Sequence, residues 1–179
     1  MRQIFSTTVI ALAAATLVTP TASSAQEAAK PFELAIFSPL QVRNQDDAIS
    51  IFRFSLLYGS NVSVRGLDIG LVAHNSGGMS KGLQGSLVGL VDGDFLGWQA
   101  GLVSITRGEF TGLQSGGYNQ IDQGEAFQFG WVNRARDVSG LQIGFVNHAE
   151  NMYGVQIGLI NIIKSKQSLV FLPIVNWSF

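Results

Sequence analysis

The stretch GLQIGFVNHAENMY, residues 140–153, is followed at once by GVQIGLINIIKSKQ, residues 154–167, and the second is a near copy of the first. Aligned on this phrase, seven units begin at residues 66, 82, 97, 112, 126, 140 and 154. The step from one start to the next is therefore nearly constant and shortens slightly along the chain. Because a repeat of fixed period is the signature of a regular architecture, it decides the fold class before any other feature.

Within each unit, apolar residues alternate with polar or small ones. Leu141, Ile143 and Phe145 project to one side of an extended strand, whereas Gln142 and Gly144 project to the other. A helix would separate Ile143 from its two apolar partners, and each glycine would cost it about 1 kcal/mol. We therefore predict an all-β protein in which each of these units contributes a strand.

Two polar or small positions recur through the array and are its candidate structural sites. The glutamine position is occupied by Gln84, Gln99, Gln114, Gln128, Gln142 and Gln156, and the central glycine position by Gly70, Gly101, Gly116, Gly130, Gly144 and Gly158. In the first unit, Asp68 replaces the glutamine. We interpret the glutamine column as a hydrogen-bonded ladder between neighbouring strands; a ligand or solute path is the alternative.

The rest of the chain fits one domain, residues 26–179, with repeats over about 66–167. Residues 32–42 and 49–58 are predicted strands, and residues 43–47 form a polar loop between them. The last strand covers residues 169–179, and four apolar residues of this segment share a side: Phe171, Val175, Trp177 and Phe179. Most charged residues after residue 80 fall between the phrases, which predicts uncharged strands and charged turns.

The N-terminus has the layout of a secretory signal peptide, residues 1–25. Arg2 supplies a positive start, residues 9–18 are a short apolar run, and residues 23–25 are small. The run is too short for a membrane-spanning helix. We therefore expect the mature chain to begin near Gln26 and the protein to be exported from the cytoplasm.

Composition narrows the possible functions. The net charge of −1 argues against nucleic-acid binding, which needs a clustered basic surface. Charged residues are 13% of the chain against about 25% in typical domains, so much of the surface is expected to avoid water. The chain has no cysteine and two histidines, His74 and His148. We therefore predict no catalytic residue, no metal and no cofactor; His148 and Glu150 are assigned to a polar turn rather than to acid–base chemistry.

Two all-β architectures fit the repeat. In a small outer-membrane barrel, strands of about 9–11 residues place apolar side chains in lipid. Two strands before the array, seven in it and one after it predict about ten antiparallel strands. In a β-solenoid, each unit is one parallel coil and the apolar side is an internal core. Low charge favours the barrel, which is our first expectation, while the uniform polarity of the units, Gly first and Asn last, favours the solenoid.

The run of GLQIGFVN and GVQIGLIN units, with the closing stretch PIVNWSF at residues 173–179, resembles bacterial surface-repeat proteins whose units are GLQIGLVN. The similarity covers about residues 32–179, although Gly85, Ser115 and Gly117 depart from the usual apolar positions. It implies an exported envelope protein without an established enzymatic activity. The four apolar residues of the last strand also resemble the C-terminal signal by which outer-membrane barrels are recognised for insertion.

We therefore expect a non-enzymatic protein of the outer membrane or cell surface with a structural or adhesive role. Outer-membrane lipid and the insertion machinery are the expected partners, and the sequence identifies no protein or host-surface partner. A periplasmic or secreted location is the alternative. A small envelope pore or a lipid-acting enzyme is the alternative function.

Overall fold

The computed structural model describes residues 29–37, 40–41 and 44–179, so the predicted signal peptide lies outside the described residues. The described residues form seven strands and no helix: β1 (Lys30–Phe37), β2 (Leu40–Gln41), β3 (Ala48–Asn61), β4 (Ser63–Asn75), β5 (Met79–Val91), β6 (Asp94–Ile163) and β7 (Phe171–Ser178). The all-β prediction is confirmed. Within the same residues there is no helix of the length and apolarity needed to cross a membrane.

The strands form one sheet in the order β2-β1-β3-β4-β5-β6-β7, with parallel pairing from β1 through β6. Leu67 pairs with Leu83, and Leu83 pairs with Trp98, which are the equivalent positions of three successive units. Each sequence unit therefore lies directly beside the next and runs in the same direction. The long strand β6 continues this winding, and the fold is a parallel β-solenoid.

The predicted ten-stranded antiparallel barrel is wrong. An antiparallel neighbour would place the start of one phrase beside the end of the next, whereas parallel coils place like residues side by side, as Gln84 and Gln99 are. The segments between phrases, predicted to be charged turns, are strand as well: Arg134 and Arg136 both lie within β6. One repeat step is thus one whole turn of the coil and not one strand plus a tight turn.

Six of the seven units begin with a glycine of positive φ, and the unit at residue 126 begins with alanine. Gly140 has a φ of +135°, and a Cβ there would overlap the carbonyl oxygen of Ala126 in the preceding coil. A side chain would meet both an unfavourable backbone conformation and a backbone atom. The position therefore requires glycine for two independent reasons.

The two ends of the solenoid differ from its middle. At the C-terminal end, β7 pairs antiparallel with β6, so that Val155 lies opposite Trp177 and the parallel series stops. At the N-terminal end, β1 is parallel to β3, and the two-residue β2 pairs antiparallel with β1. The predicted polar loop before β3 contains a turn in which the Asp47 amide donates to the Asn44 carbonyl over 3.1 Å.

The apolar core occupies one half of the interior. We call residues 141–146 and their equivalents the phrase half of a coil, and residues 147–153 and their equivalents the return half. The core residues come mainly from the return halves: Val91, Phe95, Phe110, Ile121, Ala126, Ala135, Val138, Ala149, Met152 and Ile163. The Phe95 and Phe110 rings stack at 5.8 Å. The interior of the phrase halves is polar, and this interior positions the candidate site.

Candidate functional site

The six glutamines form a continuous buried ladder inside the phrase halves. From Gln99 onward, each side-chain Nε2 donates to the Oε1 of the glutamine one coil earlier: Gln99 to Gln84 over 2.9 Å, Gln114 to Gln99 over 2.7 Å, Gln128 to Gln114 over 2.8 Å, Gln142 to Gln128 over 2.6 Å and Gln156 to Gln142 over 2.7 Å. All six side chains are buried. Since an unpaired buried amide costs about 1–3 kcal/mol, this pairing is what makes a polar interior stable.

The ladder begins on a buried ion pair. Gln84 donates to Asp68 Oδ2 over 2.9 Å, and Arg53 donates to both carboxylate oxygens, to Oδ1 over 2.7 Å and to Oδ2 over 2.6 Å. The side chain of Arg53 is fully buried, and it also donates to the His74 carbonyl and to Asn61. Arg53 lies one repeat step before Asp68, so the aspartate replaces glutamine because its neighbour is a cation.

A second ladder, which the sequence analysis did not identify, is made of asparagines. Asn119 donates to Asn133, Asn133 to Asn147 and Asn147 to Asn161, over 2.8–2.9 Å. Each of these donors also reaches a phrase carbonyl in the next coil; Asn133, for example, donates to the Ile143 carbonyl over 2.9 Å. The sequence signal for this ladder is the recurrence of Asn at intervals of one repeat step.

The C-terminal part of the central glycine column faces this asparagine ladder. A Cβ on Gly144 would lie 2.7 Å from the Asn133 amide nitrogen and 3.2 Å from the Asn147 oxygen. The same conflict occurs at Gly130 and Gly158. Glycine is therefore required at these three positions, because the carbonyl oxygen of the glycine one coil earlier and the asparagine side chains fill the space.

The apolar side of each phrase faces outward. The prediction for the solenoid alternative, that Leu141, Ile143 and Phe145 line an internal core, is wrong: Phe145 is 58% exposed, whereas Gln142 is buried. The glutamine and glycine side of the alternation faces inward because the amides pair with one another there, and the apolar side chains are left outside.

We call the three outward columns of the phrase halves the apolar face. None of its members is buried, none is charged, and they are Phe52, Leu67, Leu83, Trp98, Leu113, Phe127, Leu141, Val155 and Trp177 in the first column, Phe54, Ile69, Gly85, Ala100, Ser115, Phe129, Ile143, Ile157 and Val175 in the second, and Leu71, Leu87, Leu102, Gly117, Trp131, Phe145 and Leu159 in the third. Its one hydroxyl, on Ser115, accepts a hydrogen bond from Trp98 over 2.8 Å.

The apolar face is large for a single protein. Eight steps between strands of about 4.8 Å give a length of about 38 Å, and four residues along a strand give a width of about 13 Å. The projected area of about 500 Å² alone equals the largest apolar patch of a typical soluble monomer, and the protruding side chains expose more. Faces of this size mark contact with a partner or a membrane.

A groove of about 820 Å³ runs along the C-terminal part of the apolar face. Its floor is the backbone of Gly101, Gly116, Gly130, Gly144 and Gly158, and its walls are Phe129, Ile143 and Ile157 on one side and Trp131, Phe145 and Leu159 on the other. Ser115 lies at its N-terminal part, and Ile174 of β7, which pairs with Gly158, stands at the other end. We call this the glycine-floored groove.

The four residues of the C-terminal strand predicted to share a side, Phe171, Val175, Trp177 and Phe179, are all exposed. Val175 and Trp177 extend the apolar face through their pairing with Ile157 and Val155. Phe179 packs edge-on against Tyr153 at 5.4 Å. The buried residue of β7 is Asn176, opposite Gln156, and it accepts a hydrogen bond from Lys166 over 2.8 Å.

His74 belongs to a polar network on the return halves of β4 and its neighbours. Its Nδ1 lies 3.0 Å from the Tyr58 hydroxyl, and its Nε2 lies 2.8 Å from Asp92, which Arg107 also contacts. Burial acts to raise the pKa of Asp92, but the hydrogen bonds from His74 and Arg107 outweigh it and hold the pKa below 3.8. The network joins successive coils.

His148 and Glu150, predicted to lie in a turn, are within β6. Burial of the imidazole, followed by the positive charges of Lys164 and Arg134, lowers the pKa of His148 below 6.5. Over the described part of the chain, no three His, Asp or Glu side chains are grouped so that they could hold a metal ion.

Comparisons with known proteins give no match to a family model, to a curated protein or to a solved structure. The apolar face and the ladders behind it therefore carry the functional argument by themselves.

Proposed function

We propose that this chain is a non-enzymatic protein of the bacterial cell envelope that lies along a lipid layer through its apolar face, in a structural or adhesive role. The observation that carries the proposal is a face of three columns without one charged residue. The predicted signal peptide and the similarity of the units to envelope repeat proteins support the location.

Hydrogen bonding favours lipid over a polar partner. Protein interfaces typically carry about ten direct hydrogen bonds, but this face presents one hydroxyl, which is already bonded to Trp98. Its backbone groups pair between coils, as in the Leu67, Leu83 and Trp98 series. A surface whose backbone is paired and which presents a single hydroxyl suits a hydrocarbon environment, where an unpaired polar group is costly.

The placement of charged side chains around each coil determines which side of the solenoid contacts the lipid. The return halves carry the charged side chains, such as Arg134, Glu150 and Lys164, on the opposite part of the same coils. The solenoid therefore has one side suited to lipid and another suited to water, as an interfacial amphipathic element has. We infer that it lies on the layer with its axis parallel to the surface.

Vesicle flotation tests the proposal. We expect the purified protein to float with vesicles of phosphatidylethanolamine and phosphatidylglycerol, and Leu67→Lys to weaken flotation because it places a charge in the face. Gln123→Lys adds the same charge to an exposed position outside the face and is the matched control. Protein that stays at the bottom of the gradient, or equal flotation of the two variants, contradicts the proposal.

A further inference from the structure

We propose that the glycine-floored groove binds one acyl chain of a membrane phospholipid, an inference that rests on the lipid contact proposed above. The groove is a concave part of the apolar face and is continuous with it. The acyl chain would leave the lipid layer and lie in the groove, while the headgroup of the same phospholipid stays at the surface of the layer.

The chemistry of the groove fits hydrocarbon. Its lining holds no charged side chain, and the hydroxyl of Ser115 is engaged by Trp98. The floor is backbone whose glycines direct no side chain outward, since a Cβ at Gly144 would point at Asn133 and Asn147. An occupant that needed a hydrogen bond or a counter-charge would find neither, so its desolvation would be uncompensated.

The length of the groove fits one chain. Its floor crosses five coils, from Gly101 to Gly158, and four steps of about 4.8 Å give about 19 Å. A hydrocarbon core of about 30 Å consists of two leaflets, so one acyl chain extends over about 15 Å. The volume of about 820 Å³ lies within the range of small-molecule sites.

Backbone strain marks one end of the groove. Ile174 has a φ of +70°, a conformation that is an outlier for a β-branched residue. Its side chain is 71% exposed and stands beside the end of the glycine floor. Strain of this kind concentrates at ligand clamps, and here it holds an apolar side chain at the end of an apolar groove.

The test uses retained lipid. The full-length mature protein is incubated with vesicles of phosphatidylethanolamine and phosphatidylglycerol, separated from them in mild detergent, and analysed by native mass spectrometry. We expect one phospholipid per chain. Phe145→Asp places a carboxylate in the groove wall and should lower lipid occupancy about tenfold or more.

Leu87→Asp is the matched control, because Leu87 occupies the same column, is 55% exposed against 58% for Phe145, and does not line the groove. Both variants put one charge on the apolar face and should weaken flotation alike. The proposal expects Leu87→Asp to keep its phospholipid, and equal loss in the two variants would overturn it.

A second measurement, which uses conservative substitutions, tests the groove if Phe145→Asp does not fold. The chain has three tryptophans. Trp98→Phe with Trp177→Phe leaves Trp131 in the groove wall, and Trp98→Phe with Trp131→Phe leaves Trp177 on the face outside it. With phospholipids brominated in mid-chain, we expect quenching of Trp131 to exceed that of Trp177 at least twofold, and equal quenching would count against the groove.

The outcomes separate the two proposals. Flotation without retained lipid overturns the groove site and leaves the envelope function standing. Retained phospholipid without flotation supports the groove and contradicts the lipid-layer function. Retention of added palmitate but not of phospholipid shows that the source is free fatty acid, which overturns the assignment to a membrane lipid.

Discussion

The two halves of one coil are built with opposite polarity. In the coil of residues 140–153, the phrase half turns Phe145 outward and buries Gln142. The return half of the same coil turns His148 outward and buries Ala149. The two halves share one backbone winding and one period. The alternation along a strand therefore determines which side chains lie on the same side of it. Which side faces the interior depends on whether the polar groups of that side can form hydrogen bonds there.

The phrase half differs from the return half because its buried side-chain amides form hydrogen bonds with one another. A glutamine in an isolated strand would lose solvent hydrogen bonds on burial, but parallel stacking aligns each amide with an identical one in the next coil. Chains of hydrogen bonds strengthen one another in a medium of low dielectric constant. The ladder therefore allows the polar side to be buried and leaves the apolar side available for contact.

The largest effect is expected where the polar interior carries charge. Arg53→Met leaves the Asp68 carboxylate buried without its guanidinium, which should lower the free energy of unfolding by about 3–5 kcal/mol in urea titrations. Arg107→Met removes an exposed partner of Asp92 and should cost less than about 1 kcal/mol. Equal losses in the two variants would show that the buried pair does not stabilise the head of the ladder.

The same residue type on the two sides gives the next comparison. Phe110 is fully buried against Phe95, so Phe110→Ala should cost about 3–4 kcal/mol through lost contacts and a cavity. Phe129→Ala removes an outward ring and should change the free energy of unfolding in water by less than about 1 kcal/mol. A large loss at Phe129 would mean that the apolar face is covered within the isolated chain.

The sequence predicts the repeat step, the strands and the glutamine ladder, because like residues recur at each step and a period of two fits them. It does not predict which side is inside, since a period of two treats both sides equally. The usual preference for apolar interiors points the wrong way for Leu141 and Phe145. The partner of Asp68 was missed because Arg53 lies in a strand before the seven units, although its spacing of one repeat step was a usable signal.

The third comparison is within the glutamine ladder. Gln128→Leu removes a side chain that both donates to Gln114 and accepts from Gln142, so it leaves two buried groups unpaired and should cost about 2–4 kcal/mol. Gln156 is the last rung, and its own side-chain oxygen has no hydrogen-bond partner. Gln156→Leu should therefore cost about 1–2 kcal/mol. Denaturation midpoints that rank the two variants in the reverse order would contradict the ladder as the stabilising unit.

The smallest effect is a pH dependence confined to the outer side of the return halves. Because the pKa of His148 is lowered in the folded chain, the unfolded chain binds the proton more readily between that pKa and about 6.5. Stability should therefore fall as the pH is lowered through this window, and His148→Gln should flatten that part of the profile.

Asp92 adds a second loss below about pH 3.8, since the stability from its lowered pKa is present above that value and disappears as the pH falls through the folded pKa. Asp92→Asn should remove only this acid branch. Urea midpoints measured from about pH 3 to pH 8 decide the assignment, and a His148→Gln profile that parallels the parent below about pH 6.5 would show that His148 does not carry this titration.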